Sequence, residues 1–334
     1  MSLYPAESAA RSLKVTVASL QAKKRQGEKI ACLTAYDYPF ARLLDEAGVD
    51  LLLVGDSWGM AVAGYDDTLP VTLDDIVSAT QNVGRGARRA LVVADMPYGS
   101  YHLSPEQAVG NAIRLVKQAG AEAVKLEGAR PRVIAALAAA EIPVMAHLGL
   151  TPQSVHRLGG YRVQATSQPA ARQLLEDAVA IEAAGASMLV LEGVPRELAA
   201  AVTARLTIPT IGIGAGPDCD GQILVLHDLL GLSFRPRPKF VRAYAELAAV
   251  VRSAAESYRQ DVETGQFPAD QESYHTPLEA AWKRHEQSGR PLPPAEARPQ
   301  ATSGSDPTKS GEPPSPQASG AGAGLRGPRD GDAG

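Results

Sequence analysis

Four short apolar runs of this chain end in an acid: VGD at Asp56, VAD at Asp95, KLE at Glu127 and VLE at Glu192. A fifth, MAH, ends in His147. A charged side chain closing a buried strand is costly unless it is hydrated, paired or bound to a cation, so its repetition around a fold points to chemistry. The chemistry that suits such a set is proton transfer beside a hard cation. Mg²⁺ takes oxygen ligands, keeps several waters, and accepts a few carboxylates together with chelating substrate oxygens. Within AVKLEG (123–128), Lys125 and Glu127 stand two residues apart and share one face of a strand, with Val124 and Leu126 on the other. An ammonium and a carboxylate would then sit in one pocket. Plainer readings stand beside each of these: Asp56 and Asp95 as caps of the turns that follow, Lys125–Glu127 as a structural ion pair, and His147 as a hydrogen-bonded strand end. Ser57 adds a hydroxyl next to Asp56. The glycines of GIGAG (212–216) could cradle a phosphate, but no Lys, Arg or Ser follows them directly.

Strands must carry these ends to one place. Runs apolar at consecutive positions suit parallel strands buried on both faces, and they predict strands over residues 29–35, 51–55, 90–94, 123–127, 143–147, 188–192, 210–214 and 222–226. Helical periods fill residues 40–48, 74–87, 104–120, 132–140, 168–185 and 196–206, and a long final helix is expected over 239–265. Ser104-Pro105 reads as an N-cap with proline at the first helical position, and Gly48, Gly120 and Gly185 fall where glycine C-caps belong. The alternation fits an α/β fold of the (β/α)8 TIM-barrel kind, whose active sites lie at the C-terminal ends of the strands. Only about eight residues separate the last two strands, too few for a helix, so an open sheet of six or seven strands is the alternative. The segment 148–167 is long, polar and glycine-containing, as an active-site lid would be.

The 334 residues are 45% apolar, enough for one large core or two ordinary ones. A net charge of −4 without a basic stripe, and aromatics at 5%, speak against nucleic acid as partner and leave small molecules. Cys32 and Cys219 are too few for a disulfide framework and lack metal-ligand spacing, as expected in a reducing cytoplasm. No leader-like apolar region and no run of about 18 apolar residues appears, so neither export nor a membrane span is expected. The domains read as a helical N-terminal extension over 1–28, a catalytic barrel over 29–275 and a low-complexity tail over 276–334. In that tail TPLEAAWKRHEQ (276–287) reads as one loosely attached helix, and the Pro-, Gly-, Ser- and Ala-rich stretch beyond 289 as disordered.

Taken together, LTAYDYPFA (33–41), LLVGDSWGM (52–60), TLPVTLDDI (68–76), VKLEG (124–128), AHLGLTPQSV (146–155), GGYRVQ (159–164), IGIGAG (211–216), DGQILVLHD (220–228) and PKFVRAY (238–244) closely resemble the ketopantoate hydroxymethyltransferase family. The likeness covers about residues 14–275, in order. It implies a (β/α)8 barrel that transfers a one-carbon unit from 5,10-methylenetetrahydrofolate to 3-methyl-2-oxobutanoate with Mg²⁺, a step of pantothenate synthesis. By resemblance, Asp56 and Asp95 hold the metal and Glu127 completes the acidic set, partly through water. Asp56, Ser57, Asp95 and Lys125 bind the keto acid, His147 lies near it, and Glu192 is the proton acceptor. Gly193 stands where the family often has a cysteine. The family assembles as large homo-oligomers, commonly decamers. A rival on the same scaffold is a Mg²⁺-dependent 2-oxo-acid lyase or mutase of the phosphoenolpyruvate mutase and isocitrate lyase type, which generally uses a catalytic cysteine or a phosphate grip. Neither has an evident counterpart in this sequence.

Overall fold

The structure is a computed structural model, which describes residues 13–275 together with Lys283 and Gln287. The expected tail beyond 289 lies outside the described residues. So does the helix expected at 276–287, apart from Lys283 and Gln287, which are both helical. In order, the elements are α1 (Val17–Gln26), β1 (Ile30–Thr34), α2 (Tyr38–Glu46), β2 (Leu51–Val54), α3 (Trp58–Ala61), α4 (Leu73–Gly86), β3 (Leu91–Asp95), α5 (Pro105–Lys117), β4 (Ala123–Glu127), α6 (Pro131–Ala139), β5 (Val144–Gly149), α7 (Val155–Leu158), α8 (Gln168–Ala183), β6 (Met188–Glu192), α9 (Arg196–Arg205), β7 (Thr210–Ile213), β8 (Gly221–Leu224), α10 (Leu226–Leu229) and α11 (Leu247–Glu263). A 3-10 turn, Pro152–Ser154, leads into α7. The compact unit that holds all of these ends at Thr264.

The eight strands pair in parallel, in sequence order, into a closed barrel in which β8 returns to β1. The open-sheet alternative is thereby excluded. Closure does not need a helix between β7 and β8, because Asp220 does the pinning. Its carboxylate accepts hydrogen bonds from the Thr210 backbone and hydroxyl at 2.8 and 3.0 Å and from Lys24 at 2.7 Å, while its carbonyl accepts from Ile30 N at 3.0 Å. Side chains Thr16, Asp37, Thr72, Ser104 and Ser167 cap the helices that follow them, and Gly48, Gly120 and Gly185 take the left-handed conformation expected of C-caps.

Two hydrophobic layers hold the fold. Val124, Leu126, Ala146, Leu189 and Leu191 point outward and pack under the helices. Ile30, Cys32, Leu51, Leu53, Leu91, Val93, Ala123, Met145, Met188, Val190, Ile211 and Ile223 fill the interior. The residue type changes along each inward-facing series, as Leu91-Val93-Asp95, Ala123-Lys125-Glu127, Met145-His147 and Met188-Val190-Glu192 each run from apolar floor to polar mouth. Leu20 and Val15 of the N-terminal segment join the interior cluster, so α1 is the floor of the barrel. It is fastened by Lys23 to Asp50 at 2.8 Å and by Lys24 to Asp220.

The final helix is shorter than the sequence suggests. Residues 239–246 are not helical, because Tyr244 N and Leu247 N donate to the carbonyls of Leu229 and Leu230 at 2.8 Å, which ties this stretch to α10. Phe240 there packs against the backbone of Gly214, where an added Cβ would come within 2.8 Å of its ring. Closure itself can be tested at Gly221, where a Cβ would lie 2.5 Å from Ile30 O and 2.7 Å from Ile211 Cδ1. Gly221→Ala is expected to cost about 1–3 kcal/mol in urea denaturation, the usual range for overpacking. An unchanged midpoint would mean that this seam does not hold the barrel shut.

Candidate active site

Because inward positions recur every second residue, the registers bring the polar ends together: Asp95 lies opposite Lys125, Glu127 opposite His147, and Gly149 opposite Glu192. Asp56 arrives differently. The inward phase of β2 runs Leu51, Leu53, Gly55, and the chain turns at Gly55 to deliver Asp56 from the loop. A Cβ on Gly55 would stand 2.9 Å from Ser57 Oγ, so the missing side chain makes room for that turn. Asp56, Asp95, Lys125, Glu127 and His147 are between 1% and 4% exposed. Glu192, whose side chain is 16% exposed, is the most open of the four acids.

Lys125 organises the cluster. Its Nζ donates to both Asp95 oxygens at 2.9 and 2.8 Å and lies 3.9 Å from Glu127 Oε1. Burial alone would lower the Lys125 pKa, but Asp95, Glu127 and Asp56 together push it up, and the group stays charged. Asp56 is pushed up to about 7, first by burial and then by the Asp95 charge, against the pull of Lys125. Glu127 is also raised well above the carboxylate range by burial, with Lys125 opposing. Three carboxylates against one ammonium leave two negative charges unmatched when all are ionised, and a divalent cation would match them.

A set of residues that sequence reasoning did not single out braces this cluster. Gln153, in the 3-10 turn after β5, donates its amide to Asp56 Oδ2 at 2.9 Å and to Met96 O at 3.0 Å, and its backbone N–H to Glu127 Oε2 at 3.0 Å. Tyr101 donates its hydroxyl to Gln153 Oε1 at 2.6 Å and accepts from Glu127 N at 3.2 Å. Tyr36 shares a 2.8 Å hydrogen bond with Ser57 Oγ. Gln153 lies in the HLGLTPQS string that carries the resemblance, and that string is the signal that could have found it. The loop 148–167 is therefore not free along its length, since Gln153 anchors its first part in the site while Tyr161 and Val163 further on are exposed.

Several buried polar atoms lack protein partners. Glu127 Oε1 and both ring nitrogens of His147 make no hydrogen bond, although His147 Nε2 is 3.3 Å from Glu192 Oε2 and Nδ1 is 3.7 Å from Glu127 Oε1. Burial lowers the His147 pKa, the nearby Glu192 notwithstanding, so the ring is neutral. Unpaired buried acceptors cluster where something else is to bind. Among the described residues no group of three or more His, Cys, Asp and Glu side chains could close on a metal ion as placed. The donor set nonetheless fits Mg²⁺, which needs few carboxylates from protein and takes the remaining ligands from water and substrate. Asp56 and Asp95 offer hard oxygens at the floor of the mouth, and Glu127 Oε1 is free to hold a water.

These features define a (β/α)8-barrel enzyme with an acidic mouth balanced by one buried ammonium. Residues 14–270 match the family described as ketopantoate hydroxymethyltransferase. A protein of Koribacter versatilis named 3-methyl-2-oxobutanoate hydroxymethyltransferase is 54% identical over 269 residues, covering 80% of this chain and 91% of its own. One of the same name from Syntrophotalea carbinolica is 54% identical over 261 residues, covering 78% and 98%. The chain belongs to the ketopantoate hydroxymethyltransferase family, and it is an enzyme. Among solved structures it resembles a phosphoenolpyruvate phosphomutase from Streptomyces platensis subsp. rosaceus, with a TM-score of 0.51 at 15% identity over 82% of this chain and 96% of the other. It also resembles an oxaloacetate acetylhydrolase, with a TM-score of 0.51 at 18% identity over 83% and 99%. Those likenesses show the fold alone. Both cysteines are free and buried, and among the described residues no helix is long and apolar enough to cross a membrane.

Removing the ammonium leaves Asp95 buried without its counter-charge. Lys125→Met is expected to lower stability by about 3–5 kcal/mol, the cost of breaking a buried pair from one side. A loss below about 1 kcal/mol in urea titration would show that Lys125 does not balance the acids.

Proposed function

We propose that this chain transfers a hydroxymethyl group from 5,10-methylenetetrahydrofolate to 3-methyl-2-oxobutanoate, giving 2-dehydropantoate on the way to pantothenate, in the cytoplasm and as a homo-oligomer. The observation that carries the reading is the unpartnered trio of Glu127 Oε1 and the two His147 nitrogens at a mouth walled by Asp56, Asp95 and Lys125. It is supported by the names of relatives that match four-fifths of the chain.

Asp56 and Asp95 are assigned to hold Mg²⁺, with Glu127 reaching it partly through water. Bound there, the ion would supply positive charge against the negative charge that builds on the keto oxygen as the C3 proton leaves. Lys125 adds a fixed ammonium to the same field. Because Asp95 holds it on two oxygens, that charge needs no reorganisation during the reaction. Ser57, steadied by Tyr36, presents a hydroxyl to the keto acid. Glu192 takes the C3 proton on its carboxylate, for which it is placed as the most open acid of the mouth. His147, neutral, stands with Nε2 3.3 Å from Glu192 Oε2, and in the tautomer that carries its proton there it has one N–H to offer that carboxylate. Water adds to the donor's methylene carbon as its two C–N bonds break, releasing tetrahydrofolate and a one-carbon aldehyde, and the electron pair left at C3 attacks the aldehyde carbon to form the new C–C bond while its oxygen takes up a proton as the hydroxymethyl group.

Incubated with Mg²⁺ in D2O and without folate, the protein is expected to exchange the C3 proton of 3-methyl-2-oxobutanoate for deuterium, followed by NMR. Glu192→Gln should slow exchange by about 10²-fold or more, the usual contribution of a general base, while leaving Mg²⁺-dependent keto-acid binding near the wild-type value. Absence of exchange in the wild type would sink the proton-transfer assignment. Equal loss of exchange and binding in the variant would make Glu192 a binding residue instead.

A further inference from the structure

Behind the reaction site lies a cavity of about 270 Å³, between the segment that follows β4 and the turn that opens α7. Arg130, Arg157, His102 and Tyr101 line it, and Glu127 and Gln153 form the wall it shares with the reaction site. Its donors are largely unspent. Arg130 gives only Nε, to Glu127 O at 3.1 Å, and its guanidinium carbon stands 5.1 Å from the centre of the Tyr101 ring. Both terminal nitrogens are without a hydrogen bond among the described residues. Arg157 is exposed, close by in α7, and without a partner among the described residues. His102 Nδ1 accepts from Gly99 N at 3.2 Å, which puts the ring proton on Nε2 as a further donor. Burial and Arg130 lower the His102 pKa, so the ring donates as a neutral group.

Two guanidinium forks and an imidazole N–H favour one ligand chemistry, an oxyanion held bidentately. Glu127 is the sole acid in the lining, and its Oε2 is already bonded to Gln153 N. The volume is below the about 300 Å³ at which pockets begin to hold whole drug-sized ligands, so the cavity suits one end of a molecule.

We propose that this cavity is an oxyanion site, adjoining the reaction site, which holds the carboxylate or phosphate end of a small molecule. The first source is the glutamate end of the one-carbon donor, an assignment that rests on the function proposed above. A free oxyanion, bound independently of the reaction, is the second source. Either would be gripped by Arg130 and Arg157.

The test uses the full chain with Arg157→Gln, at an exposed position, and Arg130→Lys, which keeps the charge but loses the fork. Steady-state rates are measured with 5,10-methylenetetrahydrofolate and with the analogue lacking glutamate, 5,10-methylenetetrahydropteroate. Inorganic phosphate and glutarate are titrated calorimetrically in parallel. If the donor's glutamate occupies the site, each variant raises KM for the glutamate-bearing donor on the order of tenfold, as loss of a charge-assisted hydrogen bond does. In that case kcat, the KM for the keto acid and rates with the truncated donor stay unchanged. If the occupant is a free oxyanion, the wild type binds phosphate or glutarate, the variants lose that binding, and donor kinetics do not move. Unchanged donor KM in both variants, together with no phosphate or glutarate binding to the wild type, overturns the proposal. Should the wild type show neither proton exchange nor turnover, the proposed function fails, and the phosphate and glutarate titrations still decide the site.

Discussion

The barrel mouth depends on one buried ion pair. Lys125 rises from β4 into a space that also receives Asp56, Asp95 and Glu127, and its ammonium bridges both oxygens of Asp95. Without that charge, three buried carboxylates within one low-dielectric cluster would repel one another and take up protons. Asp56 is already pushed up to about 7 with Lys125 present. The pair therefore sets how much negative charge the site can carry, and so how strongly it would attract the proposed divalent cation. The rest of the interior makes this possible by being apolar: below Lys125 come Ala123 and its aliphatic neighbours, and below those the Leu20 side chain of α1 closes the floor.

The second constraint is geometric. Strand ends converge by register, but carboxylates on separate strands do not keep their orientations unaided. Gln153 supplies the orientation by bonding Asp56, Glu127 and the Met96 carbonyl from one residue, with Tyr101 holding its other amide atom. Each of those bonds is buried, so leaving any partner unmade would cost about 1–3 kcal/mol, which favours a single arrangement. Tyr101 also carries Arg130 on its ring face, so the same brace that orders the reaction site shapes the neighbouring basic cavity. A ligand spanning the two would meet acid chemistry at one end and cationic anchoring at the other.

How much of this was legible in the sequence follows from how each residue is delivered. Asp95, Lys125, His147 and Glu192 sit in phase with an apolar residue two positions back, and Glu127 with Ala123 four back, so a buried parallel strand writes their direction into the local pattern. Asp56 is out of phase with β2, and its arrival depends on the turn at Gly55, which spacing alone does not encode. Gln153 and Tyr101 come from loops, and their partners are set by tertiary placement, so no periodicity marks them. Closure of β8 was obscured because the β7–β8 connection lacks a helix and relies on Asp220 instead. Residues 239–246 have helix-forming composition, yet the carbonyls of Leu229 and Leu230 claim their backbone. The strings surrounding the acids named the family, and the strand phase alone reached only metal-assisted proton transfer at a barrel mouth.

Asp56 and Asp95, held in place by Lys125 and Gln153, are proposed to form a divalent-cation site completed by a 2-oxo acid. Calorimetric titration of Mg²⁺ in the presence of 3-methyl-2-oxobutanoate reads out that site. One ion is expected to bind per chain in the wild type and none in Asp56→Asn. Binding that persists undiminished in Asp56→Asn, or that is absent in the wild type, would contradict it.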